Sequence, residues 1–163
     1  MSNIKHLYKL SQGAANWNQW SRENRVVPDL SGANLQNASL EGINLYCANL
    51  HGADLLGADL TKANLMRARL EGADLSGAIL HRTNFYEADL RKVDFYRADL
   101  SGAAFFKADL RGANLSGADL IHVNFRGANL NKTIFSSALA LSPQTIQSWK
   151  LRGAIFKADL KRV

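Results

Sequence analysis

The stretch that decides the fold runs from Leu30 to Phe135, where SGANL (31–35), HGADL (51–55), EGADL (71–75), RGANL (111–115) and SGADL (116–120) repeat one pattern. Every fifth residue in this stretch is Leu or Phe, giving 22 such centres, 17 Leu and 5 Phe. Two residues before the centre stands Ala in 16 of the 22 cases, with Pro28, Ile43, Thr83, Val93, Val123 and Thr133 as exceptions. The residue just before the centre is Asp nine times and Asn eight times. The second residue after it is Gly ten times and Lys or Arg seven times.

A period of five suits neither regular element. On an α-helix five residues advance about 500°, so the centres would spiral around the rod. On a strand an odd period throws alternate centres to opposite faces. The chain must therefore turn at every repeat, and in the same sense each time. A centre and the Ala two residues earlier then share the inner side. Asp and Asn suit the position between them, because they tolerate turns and bond nearby backbone. Gly relieves strain at the turn. The expected product is a solenoid with a dry Leu/Phe/Ala axis and a polar coat.

The pattern closely resembles the A(D/N)LxG signature of the pentapeptide-repeat family, over residues 28–137 and 22 consecutive matches. The resemblance implies an all-β fold, a right-handed quadrilateral parallel β-helix with four repeats per lap. It would comprise about 5–6 coils, with short capping helices at both ends. At about 4.8 Å per coil the stack would stand roughly 26 Å tall. The residues support a 20-residue lap independently. Phe85, Phe105 and Phe125 recur at that interval, as do Phe95 and Phe135 after two laps, predicting two inner aromatic columns.

The division expected is a capping helix and lead-in at 1–27, the solenoid at 28–137, and a C-terminal cap at 138–163. Both ends must stop open backbone from propagating into fibres. Leu7, Leu10, Ala14 and Trp17, with Trp20 beside them, predict one amphipathic helix over roughly 4–24, weakened at Gly13. The WNQW element (17–20), followed by an Arg and an Asn, resembles leaders on pentapeptide-repeat proteins of photosynthetic bacteria. Ser142-Pro143 starts a short helix near 143–150, with Ile146 and Trp149 as its apolar side. Beyond it Ile155 and Leu160 return to the five-residue phase, with Gly153 and Ala158 in the small inner position. Whether this segment rejoins the stack or covers the coat is open at this point.

The formal charge is +6, but residues 1–27 carry +3, residues 138–163 carry +4 and the shaft 28–137 carries −1. Basic ends thus flank a nearly neutral body. No stretch approaches the roughly 20 apolar residues of a membrane helix. The N-terminal MSNIKHLYKLSQG lacks the apolar core of a secretory signal. A single cysteine, Cys47, fits a reducing compartment, so a cytoplasmic protein with no membrane association is expected, and the family resemblance implies a bacterial one.

Little in the chain carries chemistry. His6, His51, His81 and His122 are scattered and read as exposed variable positions, not as a metal site. Cys47 has no placed base. The serial Asp residues stand where Asp and Asn interchange, which argues for turn structure over proton transfer. Single glycines open no phosphate loop. No catalytic, cofactor-binding or metal residue is assigned, and an enzyme is not expected.

Function must then lie on the coat. Sorted by lap, one column of positions just after the centre reads Tyr46, Met66, Tyr86, Phe106, Arg126, and the position before the centre there carries no acid. Elsewhere Leu56, Tyr96 and Ile121 are isolated. The stripe is either a protein-contact surface or a stack that merely braces neighbouring coils or is covered by the C-terminal segment. The expected function is a non-catalytic protein-binding or scaffolding module that meets another protein or a second copy of itself. The alternative, implied by the family, is mimicry of duplex DNA toward a type II topoisomerase. Such mimicry needs a strongly acidic shaft, since DNA carries one charge per about 1.7 Å of axis. Direct nucleic-acid binding is not expected either: Arg91, Lys92, Arg111 and Lys132 share a column with Asp89 and Asp109, which would pair with them.

Overall fold

The structure, a computed structural model, describes residues 3–138 and 141–156. From Asp29 onward, residues 20 apart form parallel bridges, in the series Asp29↔Asn49↔Arg69↔Asp89↔Asp109↔Asn129 and its three neighbours. Four such columns make a four-sided rod. We number the faces by their first centres: face 1 (Leu30), face 2 (Leu35), face 3 (Leu40) and face 4 (Leu45). Each coil is tied to the next by two-way backbone bonds, as where Leu50 N–H donates to Arg69 C=O and Asn49 N–H to Pro28 C=O.

Every corner is a tight turn closed by a bond such as Ala33 N–H to Leu30 C=O. The second residue after each of the 22 centres is left-handed, with φ of 61–72° at ten glycines and 53–59° at twelve other residues. This is the positive φ that a type II turn demands at its third residue. The Asp and Asn preference has an equally local cause. All nine Asp and eight Asn accept a hydrogen bond from the backbone N–H two residues on, at 2.8–3.3 Å. Their role is to hold the corner.

All 22 centres are buried, including Leu60, Leu80 and Leu100. On face 4, Phe85, Phe105 and Phe125 stack at centroid spacings of 4.8 and 4.9 Å. Phe95 and Phe135 of face 2 meet that column edge-on. Two exceptions to the inner Ala resolve locally: the buried Thr83 and Thr133 hydroxyls each donate to a carbonyl of the preceding coil, Leu60 and Leu110, at 2.8 Å.

The N-terminal helix expected over 4–24 is two helices, α1 (Ile4–Ser11) and α2 (Ala14–Asn24). They part at Gly13, whose φ of 90° breaks the helix. Across the first coil they place Leu10 and Trp17, both buried, with Trp20 half-buried against the core. The expectation that all four histidines are exposed fails at His6. It is buried, and its Nδ1 accepts the Asp29 N–H at 2.9 Å.

At the other end α3 (Pro143–Leu151) begins with Ser142 accepting from Thr145 N–H. Trp149 packs against Phe125 and Phe135, 4.9 and 4.8 Å between centroids. Ile146 is half-buried outside that cluster, and Leu141 packs there instead. The chain then rejoins the stack, but one residue later than the five-residue phase requires. Ile155 bridges Ile134, Phe156 stacks on Phe135 at 5.5 Å, and Ala154 is the buried inner residue. Ile155 and Gly153 are therefore not the centre and its small partner: Ile155 faces outward and Gly153 is the left-handed corner, φ 83°. Residues after the end of the uniform repeat absorb the extra step in the α3 excursion. The matching expectations for Ala158 and Leu160 lie outside the described residues.

Candidate protein-contact face

The stripe occupies the corner that follows face 4. Because each corner is the same turn, its first residues line up coil above coil and their side chains point outward. Tyr46 and Arg126 are exposed, while Met66, Tyr86 and Phe106 are half-buried. Tyr86 and Phe106 lie flat on one another, 5.4 Å apart and 16° from parallel. The next position along the corner supplies polar struts. Arg67 donates to Glu87 at 2.9 Å and reaches the Tyr46 hydroxyl at 3.4 Å. The Lys107 ammonium lies over the Phe106 ring, 5.4 Å from its centroid.

Electrostatics follow from these contacts. The Arg67 hydrogen bond holds the Glu87 carboxyl below its ordinary range, and the Glu87 contact pushes the Tyr86 phenol up. Beside the stripe, Asn44, Asn64, Asn84 and Asn124 are uncharged, and Asn64 donates to Asn44 at 3.0 Å. The face is thus apolar along its middle, with Arg67, Lys107 and Arg126 at its border.

The described part of the C-terminal segment does not cover this face, since α3 and residues 153–156 close the end of the rod over Phe125 and Phe135. Nor is the stripe alone in exposing apolar groups. Leu56, Ile79, Tyr96 and Ile121 are as exposed as Tyr46, at 41–43% against 42%. They are spread over faces 2 and 3, where polar residues separate them in each column.

In the basic column of face 1, Arg91, Lys92 and Arg111 pair with neighbouring carboxylates, and Lys132 makes no ion pair among the described residues. Arg91 meets Asp89 at 2.7 Å and Glu71 at 2.9 Å, and Arg111 meets Asp109 at 2.6 Å. These pairs hold the Asp89 carboxyl below its usual value, chiefly through Arg91. Sequence reasoning missed the polar plugs at the ends. Trp17 Nε1 donates to Asn44 C=O, Asn18 bridges Asn44 N–H and Gly42 C=O, and Arg152 donates to the carbonyls of Phe125 and Ala128. The signal for the first two was present in the WNQW element, whose indole and amide groups are the ones used.

The repeat matches a known family. A pentapeptide-repeat profile matches residues 29–61, 63–102 and 98–136 in eight copies. The chain belongs to the pentapeptide-repeat family. Its fold is that family's right-handed quadrilateral β-helix. Among solved pentapeptide-repeat structures, Rfr23 from the cyanobacterium Cyanothece 51142 is 33% identical, over 61% of this chain and 65% of its own, with a TM-score of 0.33. HetL from Nostoc sp. strain PCC 7120, involved in heterocyst differentiation regulation, is 38% identical over 66% and 57%, with a TM-score of 0.30. A thylakoid-lumen protein of Arabidopsis thaliana is 32% identical over 73% and 72%, with a TM-score of 0.31. The chain spans less than two thirds of Rfr23 and of HetL. No curated protein matched it. Pentapeptide-repeat proteins are generally non-catalytic. No helix among the described residues is long and apolar enough to cross a membrane.

Proposed function

We propose that this pentapeptide-repeat protein is a non-catalytic binding or scaffolding module whose contact face is the Tyr46–Met66–Tyr86–Phe106 column. One observation carries the proposal: the flat Tyr86–Phe106 stack stands half-exposed on a rigid ladder, bordered by Arg67, Lys107 and Arg126. Aromatic anchors on a preorganised surface bind with little ordering cost. The cationic border suits a protein partner with an apolar patch and an acidic rim. A non-enzymatic role is supported by the occupation of all seventeen repeat Asp and Asn side chains in corner bonds. The half-buried Cys47 suits a reducing, cytoplasmic setting. DNA mimicry is the weaker alternative, because the shaft carries only −1 and its face 1 carboxylates are neutralised by Arg91 and Arg111.

The test is affinity capture from cell extract with the native chain and a Tyr86→Ser/Phe106→Ser variant in parallel. Loss of one specific band in the variant supports the face. An unchanged profile would refute it and direct attention to the caps. Potent inhibition of gyrase supercoiling by the native chain would restore the mimicry reading.

A further inference from the structure

The N-terminal cap closes only half of the first coil. On face 1 the Asp29 C=O accepts from Asn3 N–H and the Asp29 N–H donates to His6. On face 4 the Asn44 N–H and C=O are taken by Asn18 and Trp17. On faces 2 and 3 the cap supplies nothing: the backbone N–H and C=O of Asn34 and Ser39 make no hydrogen bond among the described residues. In every lower coil the equivalent groups are paired, as where Asp54 N–H donates to Ala33 C=O and Leu35 N–H to Asp54 C=O. Beside this open edge lies a groove of about 550 Å³, walled by Leu7 and Leu10 of α1 and by Leu35, Ala38 and Leu40 of the coil. Leu35 keeps 9% exposure, the most of any centre in the shaft. Unpaired ladder groups beside an apolar slot ask for an extended segment with one large apolar residue and a small residue two before it.

The sequence that follows Phe156 contains such a segment. Phe156 fills the inner position of face 2, so on a strict five-residue beat the next inward positions would be Asp159 and Lys161. A dry core excludes both. Ala158-Asp159-Leu160 nevertheless carries the repeat signature, in phase with the shaft centres but one residue out of beat with Phe156. Nor can it serve the chain's own open edge. Phe156 lies in the column of Leu35, and the place above Leu35 is seven coil spacings away, about 34 Å. Four residues extended span about 14 Å. Charge favours the match as well. Asp54, Asp74 and Asp94 run down face 2 beneath Asn34, while the segment is flanked by Lys157, Lys161 and Arg162.

We infer that the open edge at Asn34 is a self-association site that takes the Ala158–Asp159–Leu160 segment of a second copy of this chain as an added parallel strand. Following the ladder of the lower coils, the Asn34 N–H donates to the Ala158 C=O of the incoming segment. The incoming Leu160 N–H donates to the Asn34 C=O, and Leu160 lies over Leu35 beside Leu10. The pairing is head-to-tail, so it grows open-ended chains or a ring instead of a closed symmetric pair. This site is independent of the aromatic stripe and uses the opposite end of the chain's logic: backbone left unpaired, not side chains left exposed.

The test uses the full chain and its Leu160→Asp variant in sedimentation velocity up to ~1 mM, a range suited to a short docked strand. Amide hydrogen exchange is followed in parallel. The native chain should show average mass rising with concentration, and its Asn34 amide should slow by about fivefold or more. The Leu160→Asp variant should stay monomeric with a fast Asn34 amide. A peptide of residues 157–163 added to that variant should slow Asn34, whereas the same peptide carrying the Leu160→Asp change should not. A native chain that stays monomeric throughout, or a variant that associates equally well, would overturn the inference. So would association that leaves Asn34 unprotected.

Discussion

Replacing Phe105 by Ala tests the inward assignment most severely. The ring is fully buried and sandwiched between Phe85 at 4.8 Å and Phe125 at 4.9 Å, with Phe95 edge-on at 6.0 Å. Truncating a buried Phe costs about 3–5 kcal/mol, depending on how far the surroundings collapse. Collapse is resisted here. The coil spacing is held by backbone bonds on both sides of the void, Phe85 N–H to Ala104 C=O and Phe105 N–H to Asn124 C=O, each 2.8 Å. Two stacked contacts and one edge contact also vanish, each worth about 0.5–1.5 kcal/mol beyond area. The expected loss therefore sits in the upper part of the range, about 4–5 kcal/mol. Tyr46→Ala on the coat removes an exposed ring and a long hydrogen bond to Arg67, for about 1 kcal/mol or less. Guanidinium unfolding of both variants, followed by circular dichroism, reads the difference as separated midpoints. Coincident midpoints would refute the assignment of centres to a dry, incompressible axis. Because neighbouring coils carry each other's stability, exchange of the amides in the coil that holds Phe105 should rise first.

Three further outcomes are expected. Lys62→Gly should raise stability by about 0.5–1 kcal/mol, since φ of 56° strains a Cβ while the exposed Lys62–Glu41 pair contributes little; an unchanged or lower midpoint would count against corner strain. Asp89, Asp59 and Asp29 have folded pKa values below their ordinary ones, through bonds chiefly from Arg91, Thr61 and Ser31 respectively, so their contribution is present above the unfolded pKa near 3.9 and is lost as pH falls through the folded values. Midpoints should accordingly hold from neutral pH down to about pH 5 and drop below about pH 4, and a drop confined to higher pH would contradict this. Arg152→Ala should leave the Phe125 and Ala128 carbonyls without their guanidinium partner, costing about 1–3 kcal/mol, with faster amide exchange confined to the last coil and α3 as the readout.

The repeat itself settled the shaft. A Leu or Phe every fifth residue, Asp or Asn before it and Gly or a long cation two after it each answer a requirement lying within five residues, namely an inward side chain, a capped corner and a left-handed turn. Such requirements are local, so they are legible residue by residue, down to the stacking of Phe85, Phe105 and Phe125. The stripe, too, was visible as a column, because identical corners convert a 20-residue interval into vertical neighbours. What the tertiary structure alone decided lies where the repeat stops. The two-helix cap depends on Gly13, but its plugging of Asp29 and Asn44 by His6, Trp17 and Asn18 depends on groups 23–27 residues apart in sequence meeting at one end. The return of Ala154 and Phe156 one step late depends on how much chain α3 consumes while packing Trp149 on Phe125, a length that no five-residue pattern records. The open backbone at Asn34 and Ser39 is of the same kind, since whether an edge group is paired is settled by what the rest of the chain places above it.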